Sequence, residues 1–278
     1  MTLPLSDRTA AWHARATAWC LDQLRHRPTD RALVVGINGP QGAGKTTLVW
    51  ALEARLAEHG LRAIGVSIDD FYLPRKLQVW LALQHLENPL LQARGHAGTH
   101  DVALGTATLG ALAGLGKGQA TQVPVYDKTA FDGRGDRLPM GQWRRVDGPV
   151  DVVLLEGWML AFAPVGTAAL ASHVGWQQAI WAQVDENLGL YREWTQRLDV
   201  LLHLTVDDPQ TVAGWRIDAE ERVRQAGRPA MSEAEVAAYV ELFLPAYRVY
   251  PQALTARPPV PRDRYWRVEL GADRLPAT

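Results

Sequence analysis

Cysteine is almost absent from this chain of 278 residues, because Cys20 is the only one. A single cysteine excludes an intramolecular disulfide and a cysteine-based metal site, and it suits a reducing compartment. Lysine is also scarce, since only four of the 29 basic residues are lysines. A lysine that falls inside a motif is therefore a candidate functional residue.

The chain lacks an apolar run long enough to span a bilayer, and no basic segment followed by an apolar core stands near Met1. The formal net charge is −1, so no excess of positive charge favours nucleic acid or an anionic membrane as a partner. We therefore expect a cytoplasmic protein. We expect no nucleic-acid, membrane or obligate protein partner.

A glycine-rich motif stands between an apolar run and a helix-forming segment. Residues 39–46 read Gly-Pro-Gln-Gly-Ala-Gly-Lys-Thr, the G-x-x-x-x-G-K-[ST] pattern of a P-loop. Such a loop points backbone N–H groups at a phosphate chain, and the helix that follows adds its positive end. Lys45 is predicted to reach the β- and γ-phosphates, and the Thr46 hydroxyl to ligate Mg²⁺. The predicted nucleotide-binding residues are Gly39, Gln41, Gly42, Ala43, Gly44, Lys45, Thr46 and Thr47.

The order of apolar segments predicts an α/β fold with a mainly parallel twisted sheet, flanking helices and a helical lid region. We expect one P-loop domain over 1–278, divided into a lead-in helix (1–30), a nucleotide-binding core with long polar loops (31–206), and a C-terminal region that begins with a helix (207–278). Predicted strands are 31–37, 61–68, 121–126, 150–155, 200–206 and 266–270. Predicted helices are 7–26, 45–59, 76–87, 101–115, 177–198, 208–226 and 232–244, the last ended by Pro245.

Acidic residues follow two of the predicted strands. Glu156 ends the strand at 150–155 and is placed as a Walker B acid near Mg²⁺, although a solvated carboxylate at a strand end is the simpler alternative. Asp69 and Asp70 end the strand at 61–68, where a carboxylate can take the proton of an attacking hydroxyl. The alternative is that this pair caps the turn that follows.

Polar residues of two long loops are the candidates for binding an acceptor. They are Arg94, His100, Asp101, Asp127, Lys128, Arg134 and Arg137. If the acceptor is an organic acid, arginine is suited to it because a guanidinium meets a carboxylate with two hydrogen bonds. His100 can equally be a neutral packing histidine.

A charged face is predicted on the helix at 208–226. Arg216, Glu220 and Arg224 follow one another at a spacing of four residues and share one side. The simple interpretation is a solvated ion-pair stripe. The functional interpretation is a lid helix that brings an arginine to the transferring phosphate and excludes water.

Together these motifs resemble the P-loop type of D-glycerate 3-kinase, from about residue 33 to 250 and in the same order. The resemblance rests on the P-loop, Ser67-Ile68-Asp69-Asp70-Phe71-Tyr72-Leu73, residues 94–101, Tyr126-Asp127-Lys128, residues 133–137, and Glu156-Gly157-Trp158-Met159. Asn187, Tyr191, Trp215-Arg216 and residues 244–247 add to it. Wider relatives are phosphoribulokinase, uridine kinase and pantothenate kinase. The family's usual proline is replaced here by Ala97, and its serine by Thr129.

This resemblance implies phosphorylation of D-glycerate to 3-phosphoglycerate with ATP and Mg²⁺. It assigns Asp69 as the general base, Mg²⁺ to the neighbourhood of Thr46 and Glu156, and Arg216 to the lid. Lys45, Arg216 and Mg²⁺ would spread the charge of the transferring phosphoryl group. The expected acceptor-binding residues are Asp70, Tyr72, Arg94, His100, Asp127, Lys128, Arg134 and Arg137.

Two alternatives remain open from the sequence. One is the same chemistry on another small hydroxylated acceptor, such as pantothenate or a nucleoside. The other is a GTP-dependent switch or metallochaperone that hydrolyses nucleotide without an acceptor. Against the latter, the chain has no Asn-Lys-x-Asp motif for guanine, and Tyr126 rather than Asn precedes Asp127-Lys128.

Overall fold

The computed structural model describes residues 5–174, 177–225, 227 and 230–277. Their α-helices are α1 (Leu5–Gln23), α2 (Lys45–Glu58), α3 (Arg75–Gln84), α4 (Val102–Ala113), α5 (Thr167–Val174), α6 (Gln178–Leu188), α7 (Arg192–Thr195), α8 (Thr211–Gln225), α9 (Glu233–Glu241) and α10 (Leu244–Ala256). Their strands are β1 (Leu33–Asn38), β2 (Ala63–Ser67), β3 (Ala120–Val123), β4 (Tyr126–Asp127), β5 (Asp136–Arg137), β6 (Arg144–Asp147), β7 (Val152–Gly157), β8 (Val200–Thr205) and β9 (Tyr265–Glu269).

The main sheet has five parallel strands in the order β2-β7-β1-β8-β9. Every residue of its three central strands β7, β1 and β8 is buried. Burial on both faces explains why these strands read as continuous apolar runs rather than as alternating patterns. The predicted fold class, a parallel sheet with flanking helices, is confirmed.

The strand order brings three loops to one edge of the sheet. The P-loop leaves the end of β1, Asp69 follows β2, and Glu156 lies near the end of β7 between them. Glu156 is paired with Ile37 of β1 and with Ser67 of β2. Carboxyl ends of parallel strands are where open α/β sheets bind ligands. This edge therefore holds the candidate site.

Two small antiparallel ladders shape the loops beside that edge. β3 pairs with β6, a strand that the sequence analysis missed. The predicted strand 121–126 is divided between β3 and β4, and β4 pairs with β5, which lies in a segment predicted to be loop. The segment after β2 joins the 94–101 loop through two backbone hydrogen bonds, Leu73 N–H to Thr99 O and Asp101 N–H to Phe71 O. The predicted acceptor loops are thus held against the end of β2.

The lead-in helix packs on the far edge of the sheet. Its buried residues Trp12, Ala16 and Cys20 belong to the same core as the central strands, and Trp12 contacts Trp266 of β9 with ring centroids 5.5 Å apart. None of the helices within the described part of the chain is both long and apolar enough to cross a membrane.

The helix predicted over 177–198 is wrong as one continuous element. It divides into α6, a single 3₁₀ turn at 189–191, and the short α7. The break turns the Tyr191 side chain inward, where its hydroxyl accepts the N–H of Gly98 and meets Nδ1 of His100 at 2.8 Å. Contacts with a loop distant in sequence thus override the local helical periodicity.

The prediction that Pro245 ends a helix is also wrong. α9 ends at Glu241, and Pro245 lies in the first turn of α10, a helix that the sequence analysis missed. Proline suits that position because the first helical N–H groups have no partner within the helix. The helix predicted from Asp208 begins at Thr211, since Asp208 accepts the N–H of Gln210 in a turn. Its predicted end at Ala226 lies outside the described residues.

Candidate active site

The P-loop has the backbone that its glycines predict. Gly42 and Gly44 have φ angles of 79° and 82°, in the left-handed region that favours glycine. A Cβ on Gly42 would lie 2.8 Å from the Cβ of Trp215, whereas one on Gly44 would meet nothing within 4 Å. The loop is therefore packed against α8 on one side and open at Gly44. α2 begins at the next residue, so its N-terminal end points into the site.

Lys45 is a buried cation with little to neutralise it. Its Nζ donates to the carbonyl of Pro40 at 3.0 Å. Burial lowers the pKa of Lys45, and the Glu156 and Asp69 carboxylates act in the opposite direction. A buried ammonium that is bonded to one backbone carbonyl fits a phosphate anion well. The loop and Lys45 can thus hold a phosphate chain.

Thr46 and Glu156 lie together below the loop. The Thr46 hydroxyl donates to Oε1 of Glu156 at 3.0 Å. Among the described residues no group of three or more His, Cys, Asp or Glu side chains is placed to hold a metal ion. A hydroxyl with one carboxylate nevertheless suits Mg²⁺, which takes one or two protein oxygens and completes its shell with water and phosphate. The residues present therefore fit this ion.

Asp69 and Asp70 differ sharply in their contacts. Asp70 caps the short 3₁₀ helix after β2: its carboxylate accepts the N–H of Ser67, and the Ser67 hydroxyl accepts the N–H of Asp69. Burial, with a smaller contribution from Asp69, raises the pKa of Asp70 to about 6. The capping role left open by the sequence is therefore seen at Asp70. The roles of Asp70 in acceptor binding and of Asp69 as the base stay predictions.

Asp69 is ion-paired with Lys128, whose Nζ lies 2.5 Å from Oδ2. Burial acts to raise the pKa of Asp69, but the charge and hydrogen bond of Lys128, with a further hydrogen bond from Tyr72, hold it below the ordinary value. Asp69 is thus a carboxylate at neutral pH. A carboxylate at this position can accept a proton from a hydroxyl.

An open cavity of about 390 Å³ adjoins these groups. Its walls include Thr46, Asp69, Asp70, Lys128 and Glu156, which brings the predicted metal-binding, base and acceptor residues to one space. Thr46 is the residue of the P-loop motif that reaches this cavity. The Asp69 carboxylate thus lines the same cavity as Thr46, the last residue of the P-loop motif.

Other predicted acceptor residues are engaged in holding the loops. The Arg94 guanidinium donates to the carbonyls of Gly133 and Lys128, and it lies over the ring of Tyr126. The Asp127 carboxylate accepts the N–H and hydroxyl of Thr129. These contacts fix the main chain around Lys128. Direct contact of Arg94 or Asp127 with an acceptor stays a prediction.

Arg137 and His100 support the loops from beneath. The Arg137 guanidinium bonds to Oδ2 of Asp101 at 3.0 Å and to the carbonyl of Tyr72 at 2.8 Å. His100 is buried and stacks on Tyr72 with ring centroids 4.3 Å apart. Burial lowers the pKa of His100 to about 3, so its ring is neutral at neutral pH. A direct role for Arg137, His100 or Tyr72 in acceptor binding stays a prediction.

Arg134 is exposed, and its side chain makes no hydrogen bond or ion pair with the residues that the structure describes. Its guanidinium is therefore available to an anion. It lies on the same loop as Lys128, but the contacts found within 5–174 do not bring it to Asp69. Its predicted role in acceptor binding stays a prediction.

Arg216 of α8 lies at the side of the site. It pairs with Glu220 at 2.5 Å, and its guanidinium stands 5.3 Å from the ring centroid of Tyr239. Glu220 also accepts the N–H of Met231, which leads into α9. The ion pair predicted on this face is present, and it ties α8 to the helix that follows. Delivery of Arg216 to a phosphoryl group stays a prediction.

Three contacts with the P-loop were missed from the sequence. The Tyr239 hydroxyl forms a hydrogen bond with the Gln41 side chain, and the Tyr247 hydroxyl accepts the N–H of Gln41 at 3.3 Å. Arg274 donates to the carbonyl of Gly42 at 2.9 Å. The motif at 244–247 was a signal for Tyr247. Nothing local in the sequence indicated Tyr239 or Arg274.

The fold and the site define a kinase of the P-loop class. A family model described as methylmalonyl Co-A mutase-associated GTPase MeaB matches residues 1–71, which hold the P-loop and Asp69 but neither Glu156 nor the acceptor loops. The chain is 37% identical to the chloroplastic D-glycerate 3-kinase of Arabidopsis thaliana over 99% of its own length and 62% of that protein. The chain thus spans about three fifths of the plant relative.

Two further relatives match over most of both chains. The uncharacterized kinase mug58 of Schizosaccharomyces pombe is 35% identical over 81% of this chain and 83% of its own. The solved structure of D-glycerate 3-kinase from Cryptococcus neoformans var. grubii is 29% identical, with a TM-score of 0.86 over 96% of this chain and 97% of that one. The chain belongs to the P-loop kinase family that includes these proteins, as its motifs predict.

Proposed function

We propose that this protein transfers the γ-phosphoryl group of Mg·ATP to a hydroxyl of D-glycerate and forms 3-phosphoglycerate. The observation that carries the proposal is the shared cavity, where Asp69 and Lys128 face Thr46 and Glu156. Two similar proteins are named as D-glycerate 3-kinases, one from a plant and one from a fungus. The site supplies the parts that such a transfer needs: a phosphate loop, a metal position, a base and a cation for an acid.

The side chains divide the work as follows. Backbone N–H groups of the P-loop and Lys45 would hold the phosphates, and Thr46 and Glu156 would hold Mg²⁺. Bound there, Mg²⁺ would offset negative charge on the β- and γ-phosphates. Asp69 accepts the proton of the acceptor hydroxyl as its oxygen bonds to the γ-phosphorus and the bond to the β-phosphate oxygen breaks. Arg216 closes over the site with α8 and excludes water.

The match to the MeaB model favours a second candidate, a GTPase that hydrolyses nucleotide without an acceptor. This match supports a GTPase only weakly, because the matched segment ends at residue 71, before Lys128 and Glu156. The family shown by full-length relatives is one of kinases. The two candidates differ in a simple respect, because a GTPase has no use for a hydroxyl acceptor.

The test is nucleoside diphosphate release with ATP or GTP and a panel of acceptors: D-glycerate, L-glycerate, glycerol, pantothenate, uridine and none. We expect ATP with D-glycerate to give the highest kcat/KM, with 3-phosphoglycerate as product. Stimulation by pantothenate or uridine instead would move the proposal to another acceptor. Equal release with and without every acceptor, together with tighter binding of GTP, would replace it with the GTPase.

A further inference from the structure

The proposed base, Asp69, and the cation of the acceptor loop, Lys128, form an ion pair with each other. Lys128 Nζ and Asp69 Oδ2 are 2.5 Å apart. Lys128 comes from the loop after β4, and its side chain is 55% exposed, whereas that of Asp69 is 26% exposed. The ammonium therefore lies on the more exposed side of the base, and both groups line the cavity.

We propose that this contact is an inhibitory ion pair that the carboxylate of the acceptor opens. Without an acceptor, Lys128 neutralises Asp69 and keeps it from activating water or a neutral alcohol. A hydroxy acid offers Lys128 a second carboxylate, and the ammonium moves to it and frees Asp69. The protein thereby selects hydroxy acids over polyols. The inference rests on the proposed function and names how that site recognises its substrate class.

Asp69 is a weak base while the pair is closed. One carboxylate oxygen accepts the Lys128 ammonium, and Tyr72 adds a second hydrogen bond. An adjacent positive charge favours the ionised form of a carboxylate and reduces its affinity for a proton. General bases work best when their pKa lies near the working pH. When Lys128 moves away, the pKa of Asp69 rises toward the working pH, because burial raises this pKa and Lys128 no longer lowers it.

The main chain around Lys128 is held by hydrogen bonds, whereas its side chain has a single partner. Arg94 donates to the Lys128 carbonyl, and Asp127 accepts the N–H and hydroxyl of Thr129, so the main chain is held on both sides. The lysine side chain itself has one hydrogen-bond partner among the described residues, Asp69. Its four-carbon stem has several rotatable bonds, which lets the ammonium change partners over a short distance.

The other cations near the base are committed elsewhere. Lys45 bonds to the P-loop carbonyl of Pro40, and Arg144 donates to the carbonyl of Gly65. Arg94 holds two loop carbonyls. Lys128 is thus the described cation that both reaches Asp69 and has a mobile head. This singles it out as the group that an acceptor carboxylate can draw away.

Other ionisable groups also face the pair. Asp70 and Glu156 are carboxyl groups, His100 is neutral, and Tyr72, Tyr239 and Tyr247 are phenols whose pKa burial raises. Asp70, with its pKa raised to about 6, titrates near neutral pH. Lys128 also acts to lower the pKa of Asp70, so the pH profiles are compared in an Asp70→Asn background. A difference that Lys128→Met makes in that background reports on Asp69.

The freed base acts in one balanced step. The acceptor oxygen gives an electron pair to the γ-phosphorus, its proton passes to Asp69, and the bond to the β-phosphate oxygen breaks with its electrons on ADP. Asp69 then releases the proton to water. The ammonium of Lys128 stays protonated throughout and returns to Asp69 when the phosphorylated acid leaves.

The test compares wild type with Lys128→Met and with Lys117→Met, a matched loss of an exposed lysine away from the cavity. ADP release is measured with D-glycerate, with glycerol and with no acceptor, between pH 5 and 9. For Lys128→Met we expect KM for D-glycerate to rise at least about tenfold and acceptor-free hydrolysis to increase several-fold. The preference for D-glycerate over glycerol should fall about 100-fold, and the acid limb of kcat/KM for glycerol, compared in the Asp70→Asn background, should move to higher pH.

A second measurement supplies the two halves of the substrate separately. Acetate added to wild type with glycerol should stimulate ADP release, because it draws Lys128 from Asp69, and it should have no effect on Lys128→Met. Acceptor-free hydrolysis and an acid limb that match wild type in Lys128→Met would overturn the inhibitory pair. Failure of wild type to phosphorylate D-glycerate would instead overturn the proposed substrate. The comparison of acceptor-free ADP release between wild type and Lys128→Met would still test whether the ion pair is inhibitory.

Discussion

The Thr46 hydroxyl donates a hydrogen bond to the Glu156 carboxylate, with 3.0 Å between the two oxygens. This bond joins the start of α2 to the end of β7 across the centre of the sheet. It places the two proposed magnesium ligands side by side, although they stand 110 positions apart in the chain. The parallel pairing of β1 with β7 brings them together.

Replacement of Glu156 by Gln tests that position. The amide keeps the shape of the side chain and can still accept from Thr46, but it removes the negative charge that a divalent cation needs. We expect kcat to fall about 10- to 100-fold and the Mg²⁺ concentration for half-maximal activity to rise by a similar factor. Glu58→Gln, at the exposed end of α2, is the control. An unchanged Mg²⁺ dependence in Glu156→Gln would remove Glu156 from the metal site.

The paired aspartates give a second prediction. Asp69→Asn removes a proton acceptor at the cavity wall, so kcat should fall about 10²- to 10⁴-fold. Asp70→Asn keeps an oxygen that can accept the Ser67 N–H, so kcat should fall less than about tenfold. Both are measured by ADP release with saturating ATP and D-glycerate. A larger loss in Asp70→Asn than in Asp69→Asn would reverse the assignment of the base.

The residues that sequence predicted best are those whose position depends on one strand and the loop after it. The P-loop, Asp69 and Glu156 each follow a buried apolar run. A parallel sheet then brings such strand ends together, whatever the loops between them do. This is why the fold class and the centre of the site could be predicted from local motifs.

What could not be predicted depends on packing between distant segments. Tyr239 and Arg274 reach the P-loop from the last quarter of the chain, where no short motif marks them. β6 became a strand only by pairing with β3, and α6 ends where Tyr191 turns toward Gly98. Likewise, the sequence presented Asp69 as the base and Lys128 as a separate acceptor-binding residue. Their ion pair was visible only in three dimensions.

Replacement of Arg216 tests whether α8 acts as a catalytic lid or only carries a stabilising ion pair. Its ion pair with Glu220 is of the i, i+4 type, and the Glu220 side chain is only 10% exposed. Arg216→Met should therefore lower the free energy of unfolding by about 1–3 kcal/mol, because it leaves a nearly buried carboxylate without its cation. If the guanidinium also contacts the transferring phosphoryl group, kcat should fall at least about tenfold with little change in KM for D-glycerate. Glu220→Gln, which breaks the same pair but spares the cation, is the control. Equal kinetic effects in the two variants would show a stripe.

His96 leads to a prediction on stability. Its ring is buried between Phe243, on which it stacks at 4.3 Å, and the edges of Trp158 and Trp181, and neither ring nitrogen has a hydrogen-bond partner among the described residues. Burial, with a smaller effect of His100, lowers the pKa of His96 to about 3. The unfolded chain binds a proton below about pH 6.5 that the folded protein does not. Stability is therefore lost as the pH falls from about 6.5 toward 3.

His96→Phe removes this loss and keeps the aromatic stack. Relative to its value at pH 8, the free energy of unfolding at pH 5.5 should be about 1.4 kcal/mol less reduced in the variant than in wild type. Urea unfolding at a series of pH values measures the difference, and the other buried histidines contribute equally to both proteins. Curves for the two proteins that run parallel from pH 8 to pH 5 would mean that His96 takes up its proton equally in the folded and unfolded states. A variant less stable at every pH but with a flatter curve would still support the neutral, buried histidine, because overpacking lowers stability without changing proton uptake.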